Sequence, residues 1–159
     1  MRKSPMPDTR NLLDLCYRIE MKAAEFYRAL ARAHAAHPKM VALWTKTAAE
    51  EDNHALQFKL SPRALEAMVE RVTTDEADAQ QALRLGETLL EDLLHSTPPV
   101  AEALRTAIQL ETYLARFHMN NAVTFKNDLY RKLFDSMMRA DQKHLESLQA
   151  ALDELEGRS

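Results

Sequence analysis

The chain has 159 residues, of which 46% are hydrophobic and 28% charged, and its formal net charge is -3 at pH 7. That length is typical of one domain, and so small a charge excludes the basic surface of a protein that binds nucleic acid or an anionic membrane. Only two glycines and six prolines occur, which favours long helices over a sheet protein with many tight turns. With Cys16 as its one cysteine, the chain cannot form an internal disulfide, and we expect a reduced, cytoplasmic protein that does not span a membrane.

Six helical segments follow one another along the chain. Proline disfavours helix in the residue before it but fits the first helical position, so Pro38, Pro62 and Pro98 each indicate where a helix begins. Asn127 is a good N-cap for the last helix. The predicted helices cover about 8–36, 38–60, 62–72, 74–95, 98–126 and 127–156.

A spacing pattern occurs twice in these segments. A glutamate in the first helix recurs 91 residues later, and an acid with a histidine three residues after it recurs 90 residues later. The repeated residues are Glu20, Glu51 and His54 in the first half, and Glu111, Asp141 and His144 in the second. We therefore predict an all-α single domain, 1–159, in which a helical hairpin (8–60) and a similar hairpin (98–156) are joined by a helical crossover (61–97).

These six residues interrupt seams that are otherwise apolar. In each hairpin the two acids lie 14 to 17 residues from the turn between the helices, which corresponds to about 21–25 Å of helix. Four carboxylates and two imidazoles can therefore share one layer of a four-helix bundle. Charge in such a layer is costly unless a partner compensates it.

The chemistry of that layer favours two metal ions. Acid and histidine at i, i+3 point from one helix face toward a common position. Oxygen and imidazole donors suit iron, manganese or zinc, and four carboxylates neutralise two divalent cations. A vestigial or differently used polar layer is the alternative. A third acid–histidine pair, Asp92 with His95, has no matching glutamate hairpin, and we interpret it as a chance occurrence.

The ligand set resembles that of the ferritin-like di-iron carboxylate proteins, and the segments IEMKAAEFYRALA and AAEEDNHA are most similar to the rubrerythrin branch. The resemblance implies a ferritin-like bundle that binds two Fe ions, with Mn or Zn as possible substitutes. It also implies a homodimer. Because the sequence offers no second redox centre, we expect an external electron donor. In such a site Glu20 and Glu111 come singly from their helices, Glu51 and Asp141 bridge or chelate, and His54 and His144 each cap one iron. The four carboxylates are then the catalytic residues.

The sequence departs from the rubrerythrin pattern at three points. Asp141 stands where the family usually has glutamate, and Leu114 where rubrerythrins carry a further glutamate. One cysteine cannot build the rubredoxin domain of rubrerythrins.

The leading hypothesis for the function is a protein that oxidises Fe(II) with O2 or hydrogen peroxide. The alternatives are an iron-binding or storage protein without turnover and a structural bundle with a vestigial metal site.

Two aromatic side chains lie near the expected layer. Tyr27 follows Glu20 by seven residues, and His118 follows Glu111 by seven. Either could orient ligands or pass electrons. For both, ordinary packing in the core is the expected role.

Overall fold

A computed structural model describes the backbone of residues 9–59 and 62–158, and the side chains in these ranges except those of 62–63, 120, 137–142 and 144. Helices dominate, with one two-stranded sheet among the described residues. In chain order the elements are α1 Thr9–Ala33, α2 Pro38–Phe58, α3 Pro62–Met68, β1 Val69–Val72, α4 Glu76–His95, α5 Val100–Leu114, a 3-10 turn Ala115–Phe117, α6 Met119–Ala122, β2 Val123–Phe125 and α7 Asp128–Leu155. The predicted all-α fold class is confirmed.

The core forms around α1, which packs against α2 and against the crossover helix α4. Helix α1 buries an apolar stripe at steps of three and four residues, as expected of an amphipathic helix. Each fully buried aliphatic side chain of this kind contributes about 1.5–3 kcal/mol. The stripe contains Leu12, Cys16, Ile19, Ala23, Tyr27 and Leu30.

The second half of the bundle consists of α5 packed on α7, and α7 also contacts α2. An ion pair between Lys39 and Glu154, at 3.4 Å, joins the start of α2 to the end of α7. The two helices therefore run antiparallel. The turn between α1 and α2, at residues 34–37, lies at the same end of the bundle as this ion pair.

At Gly86, α4 lies close against a side chain of α1. A Cβ atom built at this position would lie 2.9 Å from Cγ of Lys22. Glycine lowers helix stability by roughly 1 kcal/mol relative to alanine. Here that cost is offset by the tight packing of the crossover helix on α1.

Two of the predicted helices are wrong over part of their length. The helix predicted for 98–126 ends at Leu114. The chain then forms the 3-10 turn, becomes extended at His118 and passes through α6 before it reaches β2. The helix predicted for 62–72 ends at Met68 and continues as β1. Strands β1 and β2 pair antiparallel, with Val72 opposite Val123. Branched valine and threonine side chains favour a strand once a partner strand is available, and this long-range pairing is not visible from local helix signals.

The sheet ties the start of the crossover to the segment that follows His118. The backbone N–H of Thr73 donates to the carbonyl of Ala122 at 2.7 Å, and that of Lys126 donates to the carbonyl of Met68 at 2.9 Å. The Lys126 ammonium also donates to the carbonyl of Glu66 at 2.7 Å. These bonds fix the path of the chain after α5 ends.

Of the helices in the described part of the chain, none has both the length and the apolar character needed to span a membrane.

Candidate metal centre

Three of the predicted ligands meet inside the first hairpin. Glu20 on α1 and Glu51 on α2 are each 1% exposed, and His54 on α2 is 3% exposed. The Nδ1 atom of His54 lies 3.3 Å from Oε2 of Glu51 and 3.5 Å from Oε2 of Glu20. The i, i+3 spacing on α2 thus aims the acid and the imidazole at Glu20 across the hairpin, as the sequence predicts.

His118, which follows α5 and the 3-10 turn, completes this group. Its Nε2 atom lies 3.6 Å from Oε1 of Glu20, and its ring centroid lies 5.0 Å from that of His54. Ligand atoms of Glu20, Glu51, His54 and His118 all lie within 4.8 Å of one another, and all four residues are buried. We call these four residues the Glu/His cluster.

Glu111 lies beside the Glu/His cluster and is 4% exposed. The Tyr27 hydroxyl donates a short hydrogen bond to Oε1 of Glu111. The Tyr27 ring stacks on Trp44 with centroids 5.9 Å apart. Tyr27 therefore joins α5 to the apolar core of the first hairpin and holds the Glu111 carboxylate at the edge of the cluster.

Burial and negative charge keep the Tyr27 hydroxyl protonated. Removal from water raises its pKa well above the usual value, and the charges of Glu111, Glu51 and Glu20 raise it further. A protonated phenol can donate to Glu111 across the whole neutral range. This donor function is consistent with an orienting role for Tyr27.

The two nearest carboxyls have opposite electrostatic properties. Burial alone would raise the pKa of Glu20, but the imidazoles of His118 and His54 and a hydrogen bond from Glu51 outweigh it and hold the pKa at about 2. Burial, followed by the charges of Glu111 and Glu20, raises the pKa of Glu51 well above its usual value. In the absence of a metal ion, these opposite shifts favour the protonated form of Glu51 beside an ionised Glu20.

Unmet hydrogen-bonding capacity shows that the Glu/His cluster fits a cation. The Glu20 oxygens lie 3.5 Å from Nδ1 of His54 and 3.6 Å from Nε2 of His118, which is too long for strong hydrogen bonds. Among the described residues, Nε2 of His118 has no hydrogen-bond partner. Buried polar groups of this kind cost about 1–3 kcal/mol each when unsatisfied. A cation placed among two carboxylates and two imidazoles would satisfy them, and oxygen and nitrogen donors suit iron, manganese or zinc.

The second acid–histidine pair is not part of the described geometry. Asp141 and His144 lie on the α7 backbone, Asp128–Leu155, but their side chains fall outside the described residues. Their contribution to the site stays a prediction.

The position of His118 is what sequence reasoning missed. The sequence places it two helical turns beyond Glu111, at a seam position, and a core role is the expectation from that placement. The turn that directs His118 into the cluster is followed by α6 and then by β2, which pairs with the distant strand β1. The sequence signals that could have indicated this are the β-branched runs at 69–72 and 123–125.

Other residues near the cluster behave as core members. Cys16 is fully buried, and burial, with a smaller effect from the charge of Glu20, raises the pKa of its thiol to about 12. A thiol in this state is neither a strong metal ligand nor a reactive nucleophile. Trp44 is also fully buried and packs against Tyr27. Both residues wall the site on the side of the first hairpin.

Comparison with known protein families gives one match: a model of the rubrerythrin family matches residues 11–152. No curated protein and no solved structure gives a significant match. The matched range includes most of both helical hairpins and every residue of the Glu/His cluster.

Proposed function

The chain belongs to the rubrerythrin family, and we propose that it is a ferritin-like di-iron protein that oxidises Fe(II) with O2 or hydrogen peroxide. The observation that carries this proposal is the buried Glu/His cluster on α1, α2 and the break at His118. A charged layer of this kind in a helical core is costly without a bound cation. Its donor types match those used by iron in carboxylate-rich bundles.

Glu20, Glu51 and His54 would hold one iron, because their donor atoms already converge from two adjacent helices. Asp141 and His144 are proposed for the second iron, with Glu111 between the two halves of the site. When bound, the iron pair supplies the electrons that reduce the oxidant.

The protein side chains set the conditions at the site. Glu20 is ionised in the metal-free protein and attracts a cation, while Glu51 must give up its proton to bind one. The Tyr27 hydroxyl keeps Glu111 oriented. Trp44, which stacks on Tyr27, is fully buried and excludes water from this side of the site.

A homodimer and an external electron donor are part of the same proposal. If Fe(II) is not itself the consumed substrate, turnover requires electrons from a donor outside the di-iron site. The single cysteine, Cys16, cannot build a second metal centre within this sequence. We also propose that the protein acts in the cytoplasm, because its one cysteine is consistent with a reducing compartment.

Repeated additions of Fe(II) test for turnover. The protein is loaded anaerobically, then given successive aliquots of Fe(II) with O2 or with hydrogen peroxide, and the formation of Fe(III) is followed by absorbance. Catalysis predicts that each aliquot is oxidised at a similar rate, well above that of His54→Ala. The surface variant His95→Ala should behave as the wild type, since His95 is exposed.

A single stoichiometric oxidation that is not repeated would contradict the catalytic part of the proposal and would support iron storage. The raised pKa of Glu51 is compatible with the structural alternative, because protonation of Glu51 would lower the charge of the cluster without a cation. Failure to retain any iron would therefore support the structural alternative.

A further inference from the structure

We propose that His118 is a direct metal ligand through Nε2, in addition to the six residues that the sequence pattern predicts. This assignment rests on the proposed metal-binding function. It gives the half of the site formed by α1 and α2 two imidazoles and two carboxylates, where the sequence pattern provides one imidazole.

The first support is the environment of Nε2. This atom is buried, lies 3.6 Å from Oε1 of Glu20, and has no hydrogen-bond partner among the described residues. Buried imidazole nitrogens are normally hydrogen-bonded or bound to metal. His34 illustrates the ordinary case, because its two ring nitrogens lie 3.0 and 2.9 Å from the carbonyls of Leu30 and Pro98.

The second support is the separation of the donor atoms. Metal–nitrogen and metal–oxygen bonds to these ligand types are about 2.0–2.2 Å long. Two donors bound to one ion at angles between about 90° and 120° therefore lie about 2.8–3.8 Å apart. The His54–Glu51 and His54–Glu20 pairs at 3.3 and 3.5 Å and the His118–Glu20 pair at 3.6 Å all match this range.

The third support is the local structure that brings His118 to this place. In a continuous helix His118 would lie seven residues, or about 10.5 Å, along the axis from Glu111. Instead the helix gives way to a 3-10 turn, and His118 has extended backbone angles, φ -65° and ψ 150°. Its ring thereby reaches to within 5.0 Å of the His54 ring.

Specific contacts hold this break. The Asn121 amide donates to the carbonyl of Ala115 at 2.8 Å, across the residues that flank His118. The Thr73 hydroxyl donates to the carbonyl of Asn121 at 3.2 Å, and the β1–β2 pairing follows directly. The backbone around His118 is thus fixed by contacts outside the cluster, which presents the imidazole to it in a defined orientation.

A weaker role for His118 would be to donate a hydrogen bond to Glu20 and so position that carboxylate. The two roles predict different behaviour in three variants. His118→Leu keeps much of the side-chain volume and cannot ligate. His118→Gln can donate a hydrogen bond to Glu20 but is a poor ligand for transition metals. His95→Ala removes an exposed histidine far from the cluster and serves as the matched control.

Cobalt(II) is a suitable probe, because it accepts the same oxygen and imidazole donors and its visible absorption reports the ligands directly. Each protein is titrated with CoCl2, and the dissociation constant and the absorption spectrum are recorded. Far-UV circular dichroism and thermal unfolding of the metal-free proteins show whether each variant is folded.

Loss of a residue that hydrogen-bonds to a metal ligand typically lowers metal affinity ~10- to 100-fold. Direct ligation predicts that His118→Leu and His118→Gln each lower the Co(II) affinity by at least this much. Both should also show a shifted Co(II) spectrum, while His95→Ala is unchanged. Wild-type affinity and spectrum in either folded variant would overturn the assignment, as would a His118→Gln spectrum identical to that of the wild type. Binding by the wild type with no effect of His118 variants sinks this inference alone, whereas absence of binding by the wild type sinks the proposed function.

Discussion

At the scale of single residues, the Glu/His cluster contains two carboxyls whose pKa values are shifted in opposite directions, Glu20 and Glu51. Glu20 is kept ionised by the two imidazoles, while Glu51 is kept neutral by burial and by its acidic neighbours. A bound cation would reverse the second effect, because a positive charge favours the ionised carboxylate. Metal binding and proton release are therefore coupled at Glu51.

This coupling predicts that metal affinity depends on pH. The pKa of Glu51 is raised in the metal-free protein, so below that pKa a cation must displace a proton. Apparent affinity should therefore increase as pH rises, by up to about tenfold per pH unit for each proton released. Calorimetric titration with CoCl2 in buffers of different ionisation enthalpy measures the number of protons released.

We expect at least one proton to be released near neutral pH, and the control His95→Ala to release the same number as the wild type. Binding that is independent of pH between about 6 and 8, with no proton released, would contradict the electrostatics described for Glu51.

Tyr27 provides a second test at the same scale. Its hydroxyl donates to the buried Glu111 carboxylate, and a hydrogen bond to a charged group contributes about 1.5–3 kcal/mol. Tyr27→Phe should lower the free energy of unfolding of the metal-free protein by about this amount, measured by urea denaturation. The ring stacking on Trp44 is retained in this variant.

Tyr113→Phe is the matched control. Tyr113 packs its ring against Phe117, and no hydrogen bond of its hydroxyl occurs among the described residues. Its removal should change the stability by less than about 0.5 kcal/mol. Equal effects of the two substitutions would show that the Tyr27–Glu111 bond contributes nothing specific.

At the scale of elements, the sequence predicts the long helices well and the short strands not at all. Helices α1, α2, α4 and α7 begin and end close to the predicted positions, because prolines and cap residues define them locally. The β1–β2 pair joins two segments about 50 residues apart. Neither segment has a local signal that favours a strand over a helix before it pairs with the other. The helix end before His118 lies close in sequence to β2, and helix periodicity through this segment predicts only a core role for the imidazole.

The N-cap of α7 tests how far local signals stabilise the helix that carries Asp141 and His144. The Asn127 side chain accepts a hydrogen bond from the backbone N–H of Tyr130 at 3.1 Å. Asn127→Ala should therefore lower the free energy of unfolding by about 1 kcal/mol, measured by urea denaturation.

Asn127→Ser is the control, since serine caps helices about as well as asparagine. It should remain within a few tenths of a kcal/mol of the wild type. A loss in the serine variant as large as that in the alanine variant would show that the cap bond is not what stabilises the start of α7.

At the scale of the whole molecule, the bundle brings together residues that are up to 98 positions apart, from Glu20 to His118. Three of the six predicted ligands meet, and Glu111 lies next to them. Spacing on the helices was sufficient to predict those positions because helix geometry fixes depth along the axis. Spacing could not predict His118, because its position depends on where a helix stops.

The family match adds what geometry alone does not provide. Rubrerythrin-family membership covers residues 11–152, so the second hairpin is included although the side chains of Asp141 and His144 lie outside the described residues. Together with the Glu/His cluster it supports a metal site in the bundle core. The number of metal ions bound per chain distinguishes a site for one ion at the Glu/His cluster from the proposed site for two ions.

Metal content per chain tests this central claim most directly. The protein is loaded with Fe(II) under anaerobic conditions, desalted, and analysed for iron against protein concentration. We expect about two irons per chain in the wild type and in His95→Ala, with a sharp fall in His54→Ala and in His144→Ala. No retained iron in a protein that circular dichroism shows to be folded would contradict the claim and would identify the polar layer as a relic.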